Sequence, residues 1–323
     1  MPTHMLEVDK PVRLPAKPVT VKISGSSGVE LSALIDGRPD ERVLRPVADK
    51  MILPVIDQPV LIRATPTGGG TFGSATVITC TAELDVRGEV DSERAVLAQV
   101  DLSGLTGRDL ISITPDGTRL ELTSLGAVTN AALPELAAAA RDLAREVLGA
   151  ERAEAAHRRD LDLLVDCSAS MRPLMADGSV AAALDVVTGV AQVTSDDITI
   201  RLAGATATEL PQVPLAELSR ASTEAALAQP LAASVRLDPV QGGSAGPRTC
   251  IVSDAVVGEP DAHWLVLVPA SSWEILRHRG DPVSTAPVPE WGRGSLSERL
   301  LGDRQQLRTL VASLVSGLSG GAA

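Results

Sequence analysis

"LLVDCSASM", residues 163–171, is the stretch on which the reading of this chain turns. An apolar run ends on Asp166, and small residues follow: Cys167, Ser168, Ala169 and Ser170. Three chemistries fit that pattern: a cysteine nucleophile, an oxygen-lined metal cup, or a polar turn closing a strand. Immediately before it, "LDLLVD" (161–166) reads as a strand of the buried, parallel type. Just after it, "GSVAAALDVVTGVAQV" (178–193) reads as a helix, with Val180, Leu184, Val187 and Ala191 recurring on one face. A strand, a turn and a helix in that order place Asp166 at the carboxyl end of a strand. Open α/β sheets bind their ligands at such ends.

Outward from this point the same alternation continues. "ITIRLAG" (198–204), "RTCIVSDAVV" (248–257) and "HWLVLVP" (263–269) read as strands, and "PLAELSRASTEAALAQPL" (214–231) as a helix. The chain closes with "SLSERLLGDRQQLRTLVASLVSGL" (295–318), a helix that Ser295 and Glu298 open at capping-box spacing. Residues 161–323 are therefore expected to form a doubly wound α/β domain. Before it, residues 134–160 are Ala-rich and helical, with Pro134 suited to a first helical position. The segment 129–160 is read as a helical linker. Residues 1–128 differ in texture: short β-branched runs at 19–24, 29–35, 59–65, 75–84, 95–102 and 111–122 alternate with Gly- and Pro-rich turns. The "PDG" at 115–117 marks a hairpin. An all-β sandwich or barrel is expected there.

Composition excludes several functions. The chain has 323 residues, 44% hydrophobic and 22% charged, with one Phe, three Trp and no Tyr. Its core must be built from Leu, Val, Ile and Ala. A net charge of −12 and the scarcity of aromatic platforms argue against nucleic acid. No apolar run approaches the ~20 residues of a membrane span, and the first ten residues lack a secretory pattern. A cytoplasmic location is expected. Cys80, Cys167 and Cys250 are too sparse for a disulfide framework or a zinc site.

Asp254, in "IVSDAVV", also follows an apolar strand, so it is expected at the same sheet edge as Asp166. Two carboxylates and a run of hydroxyls make an all-oxygen site suited to Mg²⁺ or Mn²⁺. Here a resemblance emerges. "VDCSASM" resembles the D-x-S-x-S motif of the metal-ion-dependent adhesion site (MIDAS) in von Willebrand factor A (vWA) domains. "MRPLMADGSVAAALDVV" (171–187) and "IVSDAVVGEPDAHWLVLV" (251–268) look like segments of bacterial A domains of the tellurium-resistance-associated kind. The resemblance covers residues 158–318. It implies that Ser168 and Ser170 ligate a divalent cation directly, and that Asp166 and Asp254 act through water. It also implies a threonine ligand. Thr223 in "RASTEAAL" (220–227) is the first candidate, although Ala221 and Ser222 stand where the family carries two glycines. Ser244 in "GGSAG" (242–246), Thr206 and Thr208 are alternatives.

The function implied is binding rather than catalysis. A protein partner would supply a carboxylate to the cation's open position, and family analogy points to an ATPase or a stress- or conflict-system component. Two further readings stand beside it: a metal-free scaffold, in which Asp166 and the serines only cap a turn, and a metal-dependent hydrolase. Cys167 lacks a neighbouring base in the sequence and is expected to be packed and inert. Trp273 and Trp291, flanking 274–290, are read as packing a long loop, and "RGD" (279–281) as chance.

Overall fold

The computed structural model describes residues 2–7, 10–84, 92–125, 133–205, 207–230, 248–256, 262–269, 283–290 and 294–319. The chain divides into two compact units, residues 1–130 and 131–323.

The first unit is made of strands: β1 (Thr3–Met5), β2 (Val12–Pro15), β3 (Val19–Gly25), β4 (Val29–Ile35), β5 (Arg38–Pro39) and β6 (Leu44–Val47) come first. They are followed by β7 (Lys50–Leu53), β8 (Val60–Pro66), β9 (Val77–Leu84), β10 (Arg94–Asp101), β11 (Arg108–Asp116) and β12 (Arg119–Ser124). Two six-stranded sheets result, in the orders β1-β10-β9-β3-β7-β6 and β2-β12-β11-β8-β4-β5. Alternate residues of each sheet point into one shared core. Val19, Val21, Cys80 and Ala82 come from the first sheet, and Ile62, Ile111, Ile113 and Leu122 from the second. The "PDG" hairpin forms as read, with Asp116 paired to Arg119 across β11 and β12. A second tight turn uses Asp36 and Gly37, both at positive φ, the geometry of a two-residue hairpin loop.

The second unit opens with helix α1 (Glu135–Leu148), ended by Gly149 in the left-handed conformation. The helix expected to run to residue 160 thus stops twelve residues earlier, where a backbone at positive φ accepts glycine without strain. It is part of the second unit rather than a free connector: Leu136, Ala140 and Leu143 belong to that unit's core. Then come β13 (Arg159–Asp166), α2 (Arg172–Ala176), α3 (Ser179–Thr194), β14 (Ser195–Ala203), β15 (Ala207–Glu209) and α4 (Leu218–Ala228). The chain continues through β16 (Arg248–Ser253), β17 (His263–Pro269), β18 (Val283–Val288), α5 (Leu296–Gly302) and α6 (Arg304–Ser319). The sheet order is β15-β14-β13-β16-β17-β18. Five strands run parallel, and β15 is antiparallel at one edge.

The fold class expected from the sequence requires correction. Among the described residues strands account for 42% and helices for 30%, and the strands lie in three six-stranded sheets, two of them in the first unit. A doubly wound domain carries helices on both faces of its sheet. Here α1, α3, α4, α5 and α6 all join the core on one face, built on Leu161, Leu163, Val165, Cys250 and Val252. The opposite face is a separate cluster of Leu164, Ile251, Ala262, Trp264, Val266 and Val268, to which no helix among the described residues contributes. An apolar strand shows that both of its faces are covered; it does not show by what.

Near the site the helices are tightly fitted. Only Ala181, Asp185 and Gln192 of α3 escape full burial, so the helix is buried nearly all round. A Cβ on Gly189 would stand 2.2 Å from the Ala137 carbonyl oxygen of α1, so only glycine lets the two helices approach this closely.

Candidate functional site

Asp166 is the last residue of β13 and Ser253 the last of β16, and the two strands are parallel neighbours. Their side chains therefore emerge together at one sheet edge. The Ser253 hydroxyl donates to Asp166 Oδ2 at 2.6 Å. The other carboxylate oxygen, Oδ1, accepts the Ser168 backbone N–H at 2.7 Å. This second bond is an Asx turn, the local geometry that aspartate offers a chain leaving a strand. It curls the backbone so that the Ser168 and Ser170 hydroxyls meet, 3.0 Å apart. Burial is graded across the group. Asp166 and Ser253 are buried, Ser168 and Asp254 are half-buried, and Ser170 is exposed.

Ser253 was not among the residues singled out from the sequence. Its position directly before Asp254 was the available signal: side chains alternate along a strand, and the last strand residue faces its neighbour's last residue. Asp254 itself lies just beyond β16, on the same edge, with its side chain half exposed.

Cys167 is turned away from this group. Its backbone N–H donates to the Ala203 carbonyl at 2.8 Å, tying the loop to the end of β14. Its thiol is buried and donates to the Val165 carbonyl at 3.4 Å. Burial, reinforced by the Asp166 charge, pushes the thiol up to about 12. A thiol held protonated in this way is no nucleophile at neutral pH.

Arg172, in the first turn of α2, reaches the far end of α4. Its guanidinium donates to the Leu227 carbonyl at 2.6 Å and also to the Gln229 carbonyl. Charge-assisted bonds to the last carbonyls of a helix also complement its dipole. The loop after Asp166 is thereby fastened to α4. Thr223 sits on that same helix, one turn before the clamped end. Its hydroxyl donates to the Ser219 carbonyl at 2.8 Å and is largely buried. Among the described residues no hydrogen bond joins Thr223 to the Asp166 group. Thr208 lies in β15, opposite Leu202. Thr206, Ser244, Trp273, Trp291 and the "RGD" at 279–281 lie outside the described residues.

The side chains that meet there, Asp166, Ser168, Ser170 and Ser253, present oxygen alone, the donor type that a hard cation takes; among the described residues no hydrogen bond joins Asp254 to them. The Ser168 and Ser170 hydroxyls share a hydrogen bond of 3.0 Å, which holds two neutral oxygens side by side. Thiolate and imidazole are missing from the group, so its chemistry points away from zinc.

No protein-family model matches the chain, and no curated protein is similar enough in sequence to match it.

Proposed function

We propose that the Asp166 edge is a divalent-cation site of the MIDAS type, and that it serves to bind a protein partner through that partner's carboxylate. The reading is carried by the convergence of the Ser168 and Ser170 hydroxyls beside a buried carboxylate that Ser253 anchors from the neighbouring strand. Mg²⁺ or Mn²⁺ would be held by Ser168 and Ser170, with Asp166 and Asp254 supplying negative charge and orienting waters. The cation would contribute Lewis acidity toward an incoming carboxylate. Neutral hydroxyl ligands would keep the cation electrophilic toward an anionic group on a partner in a half-buried setting.

A catalytic role finds less support. Cys167 is protonated and buried. The second unit's described histidines lie beside other residues, His157 3.8 Å from Glu154 and His263 bonded to Ser284. Ser168 and Ser170 therefore have no imidazole base beside them among the described residues. A metal-free scaffold is favoured by one specific observation. Both oxygens of Asp166 are satisfied by Ser168 and Ser253, so the turn is stable on its own.

One measurement separates these readings. Thermal unfolding is followed with and without Mg²⁺ or Mn²⁺, for the wild type and for Asp166→Ala. A ligand at a hundred times its Kd stabilises the folded state by about 2.7 kcal/mol, a rise of several degrees in Tm. The wild type is expected to show that rise and Asp166→Ala to lose it. An unchanged wild-type Tm at millimolar cation would leave the scaffold reading standing. Magnesium-dependent turnover of a phosphate ester, abolished by Ser170→Ala, would replace the binding role with a hydrolytic one.

A further inference from the structure

The second unit also holds a cavity to which no residue of the Asp166 edge contributes. Its volume is about 570 Å³, within the ~300–1,000 Å³ of small-molecule pockets. Its walls are the last turn of α3, residues 195–200 of β14, the stretch 209–215 and one face of α4. Asp166 lies beside the other end of β14, opposite Ala203. The walls are held in place before any ligand arrives. The Leu210 N–H donates to the Ile200 carbonyl at 2.9 Å and the Glu217 N–H to the Pro214 carbonyl at 2.8 Å. Pro211 and Pro214 restrict the backbone of this stretch further. On α4 the Ser222 hydroxyl turns back to the Leu218 carbonyl at 2.7 Å, so it is engaged within its own helix. Ile198, Leu210, Val213, Leu215 and Ala225 pack against the core yet stay half-buried. One side of each meets the core, and the other is left to the cavity.

The charges around this cavity have one sign. Asp196, Asp197 and Glu209 line it, and among the described residues no Lys, Arg or His lines it with them. Asp196 is matched from outside the cavity by Arg152 and Arg158, at 3.3 and 2.9 Å. Asp197 and Glu209 are exposed, which places them at the open side. Asp197 accepts the Ile198 N–H through Oδ1 at 2.8 Å, and its second oxygen remains available. Glu209 sits opposite Arg201 across the strands, but that guanidinium is held by Asp162, its Nε donating to Oδ1 at 2.7 Å. Among the described residues neither Asp197 nor Glu209 has an ion-pair partner. No aromatic ring lines the cavity either. It is thus aliphatic within and carries two unmatched carboxylates at its mouth.

We propose that this cavity binds a small organic cation, a primary ammonium group carried on a compact apolar body. The body would displace water from the aliphatic lining. The ammonium would donate to Asp197 and Glu209 in charge-assisted hydrogen bonds. A quaternary ammonium has no N–H to donate, and the aromatic faces that recognise one are missing from the lining. An anion on the same body would meet two like charges at the mouth. This binding lies apart from the Asp166 edge and does not depend on a metal there.

The test titrates the full chain by calorimetry with three probes that share one apolar body: adamantylammonium, adamantanecarboxylate and adamantyltrimethylammonium. The primary ammonium is expected to bind saturably, and the other two at least about tenfold more weakly. Ala221→Trp and Ala225→Trp, each filling the cavity from α4, should each weaken the primary ammonium by a similar factor, with circular dichroism confirming the fold. Asp197→Asn and Glu209→Gln together, which change charge and little else, should bring the ammonium and carboxylate probes to similar affinity. EDTA should leave binding unchanged. Equal binding of the carboxylate or the quaternary probe to the wild type, full binding to either filled variant that remains folded, an unchanged ammonium preference in the double variant, loss of binding with EDTA, or a Kd above about 1 mM for the primary ammonium would each overturn the proposal.

Discussion

Asp185 shows what one residue does when a sequence pattern places it well but its neighbours alter its chemistry. It lies on the narrow uncovered stripe of α3, yet burial raises its carboxyl pKa, an effect that a hydrogen bond with Ser219 of α4 only partly offsets. The sign of the consequence follows from linkage. With the folded-state value above the unfolded one, the unfolded chain ionises first as pH rises. Stability is then greatest below the ordinary carboxylate range and falls as pH climbs through it to the folded-state value. Asp185→Asn should raise Tm at pH 7 and leave it equal to wild type below that range, as differential scanning fluorimetry across pH will show. Position 185 lies off the apolar stripe read at 180, 184, 187 and 191, and nothing in the sequence joined it to Ser219. Ser253 is the comparable residue at the candidate site. Asp166, Ser168 and Ser170 stood out as candidates because a strand end followed by hydroxyls has a distinctive pattern, and Asp254 because it follows a second apolar strand. Ser253 stood directly before Asp254 at the end of an apolar strand, and the pairing of β16 with β13 is what gives that position its meaning.

At the scale of elements, α3 carries the clearest energetic argument. The apolar stripe read from the sequence, Val180, Leu184, Val187 and Ala191, is entirely buried, and Ala182, Ala183, Val186, Val190 and Val193 are buried with it. The stripe was narrower than the contact surface because α1, α4, α6 and the sheet surround the helix. Gly189 is the point of closest approach to α1. Gly189→Ala is expected to cost about 1–3 kcal/mol through overpacking against the Ala137 carbonyl. Gly302→Ala, whose Cβ would meet nothing within 4 Å, should stay within about 0.5 kcal/mol of wild type. Urea unfolding of both variants will check the contrast. Strand β18 was not foreseen, because "VSTAPV" contains a proline and sits in a Pro-rich stretch. Among the described residues it lies at the sheet edge and pairs only with β17, which is where a strand tolerates Pro287.

The whole molecule is built on cores that do not mix along the chain. The first unit's cluster runs from Leu6 to Leu122, and the second unit's clusters lie between Leu136 and Leu318. Each unit buries its own apolar surface, so each satisfies the requirement for independent folding. Fragments 1–130 and 131–323 are expected to fold separately, each melting at one of the transitions of the full chain in scanning calorimetry. A single transition shared by the full chain and absent from both fragments would show that the units fold only together. The boundary near residue 130 was visible as a change from β-branched to Ala-rich texture. The assignment of 129–160 to a linker was not, because an amphipathic helix carries no label for the core it joins.

The sequence by itself determined the local chemistry of this protein. It placed a strand end carrying Asp166, Ser168 and Ser170, a capping box at Ser295, a hairpin at Asp116, and two blocks of different texture. Each of these depends on residues within a few positions of one another, where propensity and periodicity act directly. Tertiary structure alone decided the rest. It brought Ser253 onto Asp166, turned the Thr223 hydroxyl back into its own helix, and gathered the described helices on one face of the second sheet. Those outcomes depend on which elements become neighbours across distant stretches of chain. A pattern of burial states that a residue must be covered and leaves its partner unnamed.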